Sequence, residues 1–90
     1  MSQITVQKMS REEADKLGIA SWEHWDCEPA EFDWEYDSVE KAYLFEGTAI
    51  VTAENGETTS FGAGDFVTFP KGLKCRWKVI ETVKKVYKFE

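Results

Sequence analysis

The chain has 90 residues, a formal net charge of −6 from 11 Lys and Arg against 17 Asp and Glu, and a dense aromatic set of four Trp, three Tyr and six Phe. Its aromatics and 42% hydrophobic content exclude a disordered chain, and its length allows one domain whose thin core has to be well packed. The acidic balance argues against a nucleic-acid partner, which needs a positive field, and a single His excludes a metal centre built from two or three imidazoles of one chain.

In chain order, Ile4 to Val6 reads as a short strand. Ser10-Arg11-Glu12-Glu13 then fits a capping box, with Ser10 accepting from the N3 amide and Glu13 reaching back. Ala14 and Leu17 complete one or two helical turns, and Gly18 suits the C-terminal cap. Everything after this helix reads as β. Trp22 to Cys27 forms one strand. Phe32, Trp34 and Tyr36 alternate with Asp33, Glu35 and Asp37, a period of two that sends the three rings to one face. Glu40 to Glu46 is a strand stopped by Gly47, and Thr48 to Ala53 is the next. Asn55-Gly56 predicts a tight type I′ hairpin into Thr58 to Phe61, because both central positions of that turn need positive φ. Phe66 to Phe69, Cys75 to Ile80 and Val83 to Phe89 follow, separated by Gly- and Pro-containing turns. Short strands at this spacing define an all-β sandwich or barrel with one short N-terminal helix.

Charge is unevenly placed. Trp22 to Glu40 carries eight acids and no Lys or Arg, whereas from Lys71 onward there are seven Lys and Arg and two acids. Two solvated faces account for this, and so does an acidic segment meeting a basic one, within the chain or across a dimer. The first residues are too polar for a signal-peptide core, and no apolar run approaches the ~18 residues that would cross a bilayer. Cys27 and Cys75 have no CxxC spacing and read as free thiols. The expected location is the cytosol, with no membrane contact.

Two spacings carry a family resemblance. Glu40 is followed after six residues by Gly47, and Gly64 after five by Pro70, with Gly72 and Cys75 beyond it. With Phe32 to Tyr36, Gly64 to Gly72 and Cys75 to Val79, these make the chain resemble a small single-domain cupin. Within the cupins it is similar to the branch related to the cupin domain of ureidoglycine aminohydrolase. The resemblance implies a cupin-type antiparallel β-barrel, a jelly-roll-like double sheet, with residues 1–20 holding the first strand and helix and 21–90 the barrel. It also implies a homodimer.

Cupin enzymes typically hold a metal through two His and a Glu of the first motif and a His of the second. With a three-residue gap before Glu40, the two His positions fall on Trp34 and Tyr36; with a four-residue gap they fall on Asp33 and Glu35. The first register is preferred because it turns the rings inward and the carboxylates to water. Glu40 then remains as the one usual ligand and Cys75 stands in the last position, too few for a closed site. No metal and no cofactor are therefore expected. The second register would give Asp33, Glu35, Glu40 and Cys75, an oxygen-rich set suited to Mn or Mg, and His24 is a remote recruit.

The candidate pocket comprises Trp34, Tyr36, Glu40, Cys75 and Trp77, with Tyr43 and Phe45 as further rings. Glu40 is the candidate acid or base; as a structural residue it would bond Tyr36 or a backbone amide. Cys75 is a candidate nucleophile, although a thiol without an activating base is more often a small buried hydrophobe. Three functions follow: a metal-independent binder of a small molecule, an enzyme acting through Glu40, with or without a metal, on a small nitrogenous or carbohydrate compound, and a structural or partner-binding module.

Overall fold

The capping box is made. Ser10 Oγ accepts from the Glu13 amide at 3.1 Å, the Ser10 amide donates to Glu13 Oε1 at 3.1 Å, and Gly18 turns left-handed just past the helix. The computed structural model describes residues 4–90. It contains β1 (Thr5–Lys8), α1 (Arg11–Lys16), a 3₁₀ turn (Ile19–Ser21), β2 (Glu23–Cys27), β3 (Ala30–Glu35), β4 (Glu40–Ala53), β5 (Thr58–Gly62), β6 (Asp65–Phe69) and β7 (Lys74–Phe89). All strand pairs are antiparallel.

Two long strands, β4 and β7, pair with each other and run through both halves of the molecule. The first part of β4 and the last part of β7 lie between β6, itself flanked by β1, and β2. The second part of β4 and the first part of β7 lie between β5 and β3. The result is two antiparallel layers joined by two bent strands, the double sheet of a cupin β-barrel.

The bend corrects the expectation that Gly47 ends a strand. The β4–β7 register shifts between Leu44 and Ala49, so β4 passes through Gly47 as a bulge and switches the phase of its inward residues. Ala42 and Leu44 are buried before the bulge, and Ala49, Val51 and Ala53 after it. Gly47 has φ +96°, and a Cβ there would meet the Thr82 carbonyl oxygen at 2.3 Å, so only glycine fits where the two long strands cross. The same continuity merges the two expected C-terminal strands into β7. At Asn55-Gly56 the hairpin is present but the turn is wider. Only Gly56 has positive φ; the Gly56 amide donates to the Ala53 carbonyl and the Ala53 amide to the Glu57 carbonyl. That is a type I turn closed by a left-handed glycine, not type I′.

The main core lies between the layers and includes Tyr36, Leu44, Val51, Phe61, Val67, Phe69, Leu73 and Trp77. A second cluster lies under α1 and contains Ala14, Ile19, Tyr43 and Val86, with Phe45 and Phe66 against it. Tyr43 and Phe45 therefore belong to the helix-covered side of the sheet and not to the barrel interior. On β4 before the bulge, Tyr43 has the opposite phase to Glu40, Ala42 and Leu44.

Candidate functional site

Eight strand positions from four strands converge on one end of the barrel interior. Trp25 comes from β2, Phe32 and Trp34 from β3, Glu40 from β4, and Trp77, Lys85, Tyr87 and Phe89 from β7; Tyr36 follows β3 directly. Together they enclose a cavity of about 230 Å³. Trp34 and Phe89 are about half exposed (49% and 50%), whereas Tyr36, Trp77, Glu40 and Lys85 are buried, so the cavity opens at the former pair and is floored by the latter four.

β7 explains why these groups meet. Its inward residues follow a period of two: Cys75, Trp77, Val79, Val83 and Lys85 are all buried, and Tyr87 and Phe89 continue the row to the rim. Opposite Trp77 lies Phe32, and opposite Lys85 lies Trp25, so the strand pairing sets the rings against one another. Phe32 lies parallel to Trp77 at 6.0 Å between centroids, and Trp25 meets Trp77 edge-on at 5.8 Å. Tyr36 stacks on Phe69 at 4.8 Å.

A buried ion pair occupies the floor. Lys85 Nζ donates to Glu40 Oε2 at 2.8 Å, with both side chains at most 6% exposed. The ammonium also lies 4.8 Å from the ring centroids of Trp25 and Trp77, and 5.6 Å from those of Phe69 and Tyr87. Four ring faces and one carboxylate thus surround it, the arrangement that accommodates a cation away from water. Burial pushes the Lys85 pKa below its ordinary 10.5, against the opposing pull of the Glu40 charge and hydrogen bond. Among the described residues, Glu40 is the one hydrogen-bond acceptor for this ammonium. Trp77 Nε1 donates to the Tyr36 hydroxyl at 3.2 Å, and the Tyr36 proton itself has no acceptor among the described residues. Burial, and then the nearby Glu40 charge, push the Tyr36 pKa up, so it stays a neutral donor.

The structure brings together four of the five residues expected from the sequence: Trp34, Tyr36, Glu40 and Trp77 line the cavity. Cys75 has the same phase as Trp77 but does not line it, a correction with a simple cause. Cys75 lies directly across from Trp34 at the far end of β7, and its thiol donates to the Trp34 carbonyl at 3.6 Å, beside an open groove that includes Asp33, Glu54 and Arg76. Burial pushes its pKa up to about 11, the reverse of what a nucleophile needs. Glu40 is bonded to neither Tyr36 nor a backbone amide; its partner is Lys85, which the sequence reading passed over. The signal was available in the alternation from Cys75 to Phe89, which puts a lysine on an otherwise apolar inward row.

The preferred register of the β3 segment holds. Phe32, Trp34 and Tyr36 line the cavity, and Asp33 and Glu35 are exposed on the outer face. The oxygen-rich alternative is thereby dispersed, since Asp33 bonds Arg76 at 2.9 Å on that outer face. His24 is exposed on the outer face of β2, opposite in phase to Trp25. Among the described residues, no three His, Cys, Asp or Glu side chains are placed to hold a metal ion. The donor set does not fit a metal: an indole and a phenol stand at the first-motif positions, Cys75 is off the cavity, and Glu40 faces an ammonium.

Fold and site together define a cupin barrel with an aromatic cavity whose charged lining residues are Lys85 and Glu40. The chain belongs to the family of EutQ-like cupin domains, which it matches over residues 14–87. It is similar to a DUF861 family protein of Thermotoga maritima, at 43% identity and a TM-score of 0.93, covering 98% of this chain and 100% of that one. A DUF861 protein of unknown function from Pseudomonas syringae is 31% identical, with a TM-score of 0.64, over 71% of this chain and 28% of that one. The EutQ protein of Clostridium difficile shares the fold, at 20% identity and a TM-score of 0.66, over 96% of this chain and 66% of that one. No curated protein matches the chain.

Proposed function

We propose that this cupin binds a small molecule with a flat apolar body and one oxygen acceptor, a carboxylate or carbonyl, without using a metal. The observation that carries this is a buried lysine with a single protein acceptor, on the floor of an aromatic cavity of about 230 Å³. A cavity of ~150 Å³ takes benzene, so this one suits a single ring with a substituent. Phe32, Trp34 and Trp77 supply ring faces; the Lys85 ammonium, which donates to Glu40 alone, has further N–H donors to offer, and the Tyr36 hydroxyl proton has no acceptor among the described residues. The likeness to the ureidoglycine aminohydrolase branch adds amide and ureido compounds to the candidates, because their carbonyl oxygen is an acceptor of the required kind. A metal-dependent reaction on such a compound is disfavoured by the donor set at the Trp34 and Tyr36 positions.

The cavity contains three indoles, at Trp25, Trp34 and Trp77, so tryptophan fluorescence reports occupancy directly. Benzoate, benzamide and phenylurea are expected to change the emission saturably, whereas toluene, which lacks the acceptor, binds at least about tenfold more weakly. Lys85→Met should remove the preference for the acceptor, and Trp34→Ala should weaken all of them. No saturable change with any of these compounds, or equal binding of toluene and benzoate, would overturn the reading.

A further inference from the structure

We propose that Lys85 is a carbonyl-capturing amine, forming an imine with small aldehydes that enter the barrel, with Glu40 moving the protons. This rests on the binding reading above and adds covalent chemistry to it. The geometry is that of an amine nucleophile with its own base. The Lys85 nitrogen lies at the floor of a cavity that opens to solvent at Trp34 and Phe89, and the Glu40 carboxylate is 2.8 Å away. Four rings at 4.8–5.6 Å keep bulk water from the nitrogen. Burial favours the uncharged amine, the form that can attack. Lys8 also meets a buried carboxylate, Asp65 at 3.3 Å, but its own ammonium is exposed to water and has no enclosing rings.

The step balances within the pair. Transfer of the shared proton from Lys85 to Glu40 leaves a neutral amine and a carboxylic acid. The nitrogen lone pair forms a C–N bond to the carbonyl carbon as the C=O π pair moves to oxygen, which takes the Glu40 proton. The carbinolamine nitrogen returns a proton to the Glu40 carboxylate. Glu40 then passes it to the hydroxyl, which leaves as water while the C=N bond forms. Overall, one ammonium and one carbonyl give one iminium and one water, with the Glu40 carboxylate regenerated as counter-ion and no oxidant or reductant required.

The test treats the intact protein with benzaldehyde and cyanoborohydride, which reduces an imine to a stable secondary amine, and maps the modified lysine by peptide mass spectrometry. Lys85 is expected to be modified several-fold faster than any exposed lysine. Benzoate should protect it by occupying the cavity, and an aldehyde too large for the cavity, pyrene carboxaldehyde, should leave it untouched. Glu40→Gln should slow the modification at Lys85 while leaving that of the exposed lysines unchanged. Modification spread over exposed lysines with Lys85 spared would overturn the proposal. If benzoate still changes the tryptophan emission in that case, the binding reading stands and only the covalent step fails. If benzoate neither binds nor protects, yet Lys85 is selectively modified, the capture stands and the reading of a reversible acceptor site fails.

Discussion

At the scale of single residues, the Lys85–Glu40 pair dominates. Both charges are taken out of water, which costs several kcal/mol per ion, and their mutual attraction and the surrounding rings offset that cost. Removing one partner leaves the other uncompensated. Glu40→Gln is expected to lower the unfolding free energy by about 3 kcal/mol in urea titrations, whereas the double change Glu40→Leu with Lys85→Met should remain within about 1 kcal/mol of the native chain. A pair kept for stability alone would not show that recovery. Cys75 makes a separate prediction. Its folded value of about 11 lies above the ordinary 9.0, so between these the unfolded chain has lost a proton that the folded chain retains. Its contribution to stability is therefore complete below pH 9 and is lost as the pH rises towards 11. The stability difference between the native chain and Cys75→Val should shrink over that interval in parallel urea titrations, and alkylation of Cys75 by iodoacetamide should be negligible at pH 7.5. The aromatic face of residues 32–36 was legible in the sequence because strict alternation is a local signal. The partner of Glu40 was not, because it lies 45 residues away and is chosen by strand pairing.

At the scale of elements, the corner at Gly47 decides where the site lies. Without the bulge, the phase that buries Glu40, Ala42 and Leu44 would turn Ala49 and Val51 out to solvent. Gly47→Ala puts a methyl group against the Thr82 backbone at a residue with φ +96°, and neither strand can move without breaking the ladder. A loss of about 3 kcal/mol is expected, seen as a fall of roughly 15 °C in the melting temperature of a domain of this size. The helix and its cap were readable from Ser10 and Glu13, since a capping box is a four-residue pattern. That β4 and β7 are each one bent strand was not readable, because a glycine in a strand pattern marks a stop and a bulge equally well.

At the scale of the whole molecule, the uneven charge of the sequence has a structural meaning. The acidic segment pairs directly with the basic end of the chain: Glu31 with Lys78, Asp33 with Arg76 and Glu35 with Lys74 along β3, and Asp26 with Lys84 along β2. Arg76 bonds both Asp33, at 2.9 Å, and Glu31, at 3.3 Å, on the exposed face. Each such pair contributes roughly 0.2–1 kcal/mol and is screened by salt, so its main effect is on register: a slip by one residue would set these carboxylates opposite apolar side chains. Arg76 is thereby satisfied within the chain and does not offer its charge to a second copy. We propose that the homodimer expected of this fold is held by exposed apolar side chains away from the cavity mouth, such as Ile80. Light scattering at micromolar concentration should then give twice the chain mass at both low and high salt; a monomer, or a dimer lost at high salt, would count against it.

The sequence by itself determined the all-β class, the short capped helix, the alternation that sends Phe32, Trp34 and Tyr36 to one face, and the single His of the chain. All of these depend on spacings of two to seven residues or on residue identity. Only the tertiary structure decided that those rings face the cavity, that Glu40 is paired with Lys85, that Tyr43 and Phe45 lie under the helix, and that Cys75 lies outside the cavity. Those outcomes depend on which strands adjoin and where a bulge reverses their phase, and the hydrogen bonds that fix both join residues dozens of positions apart in the chain.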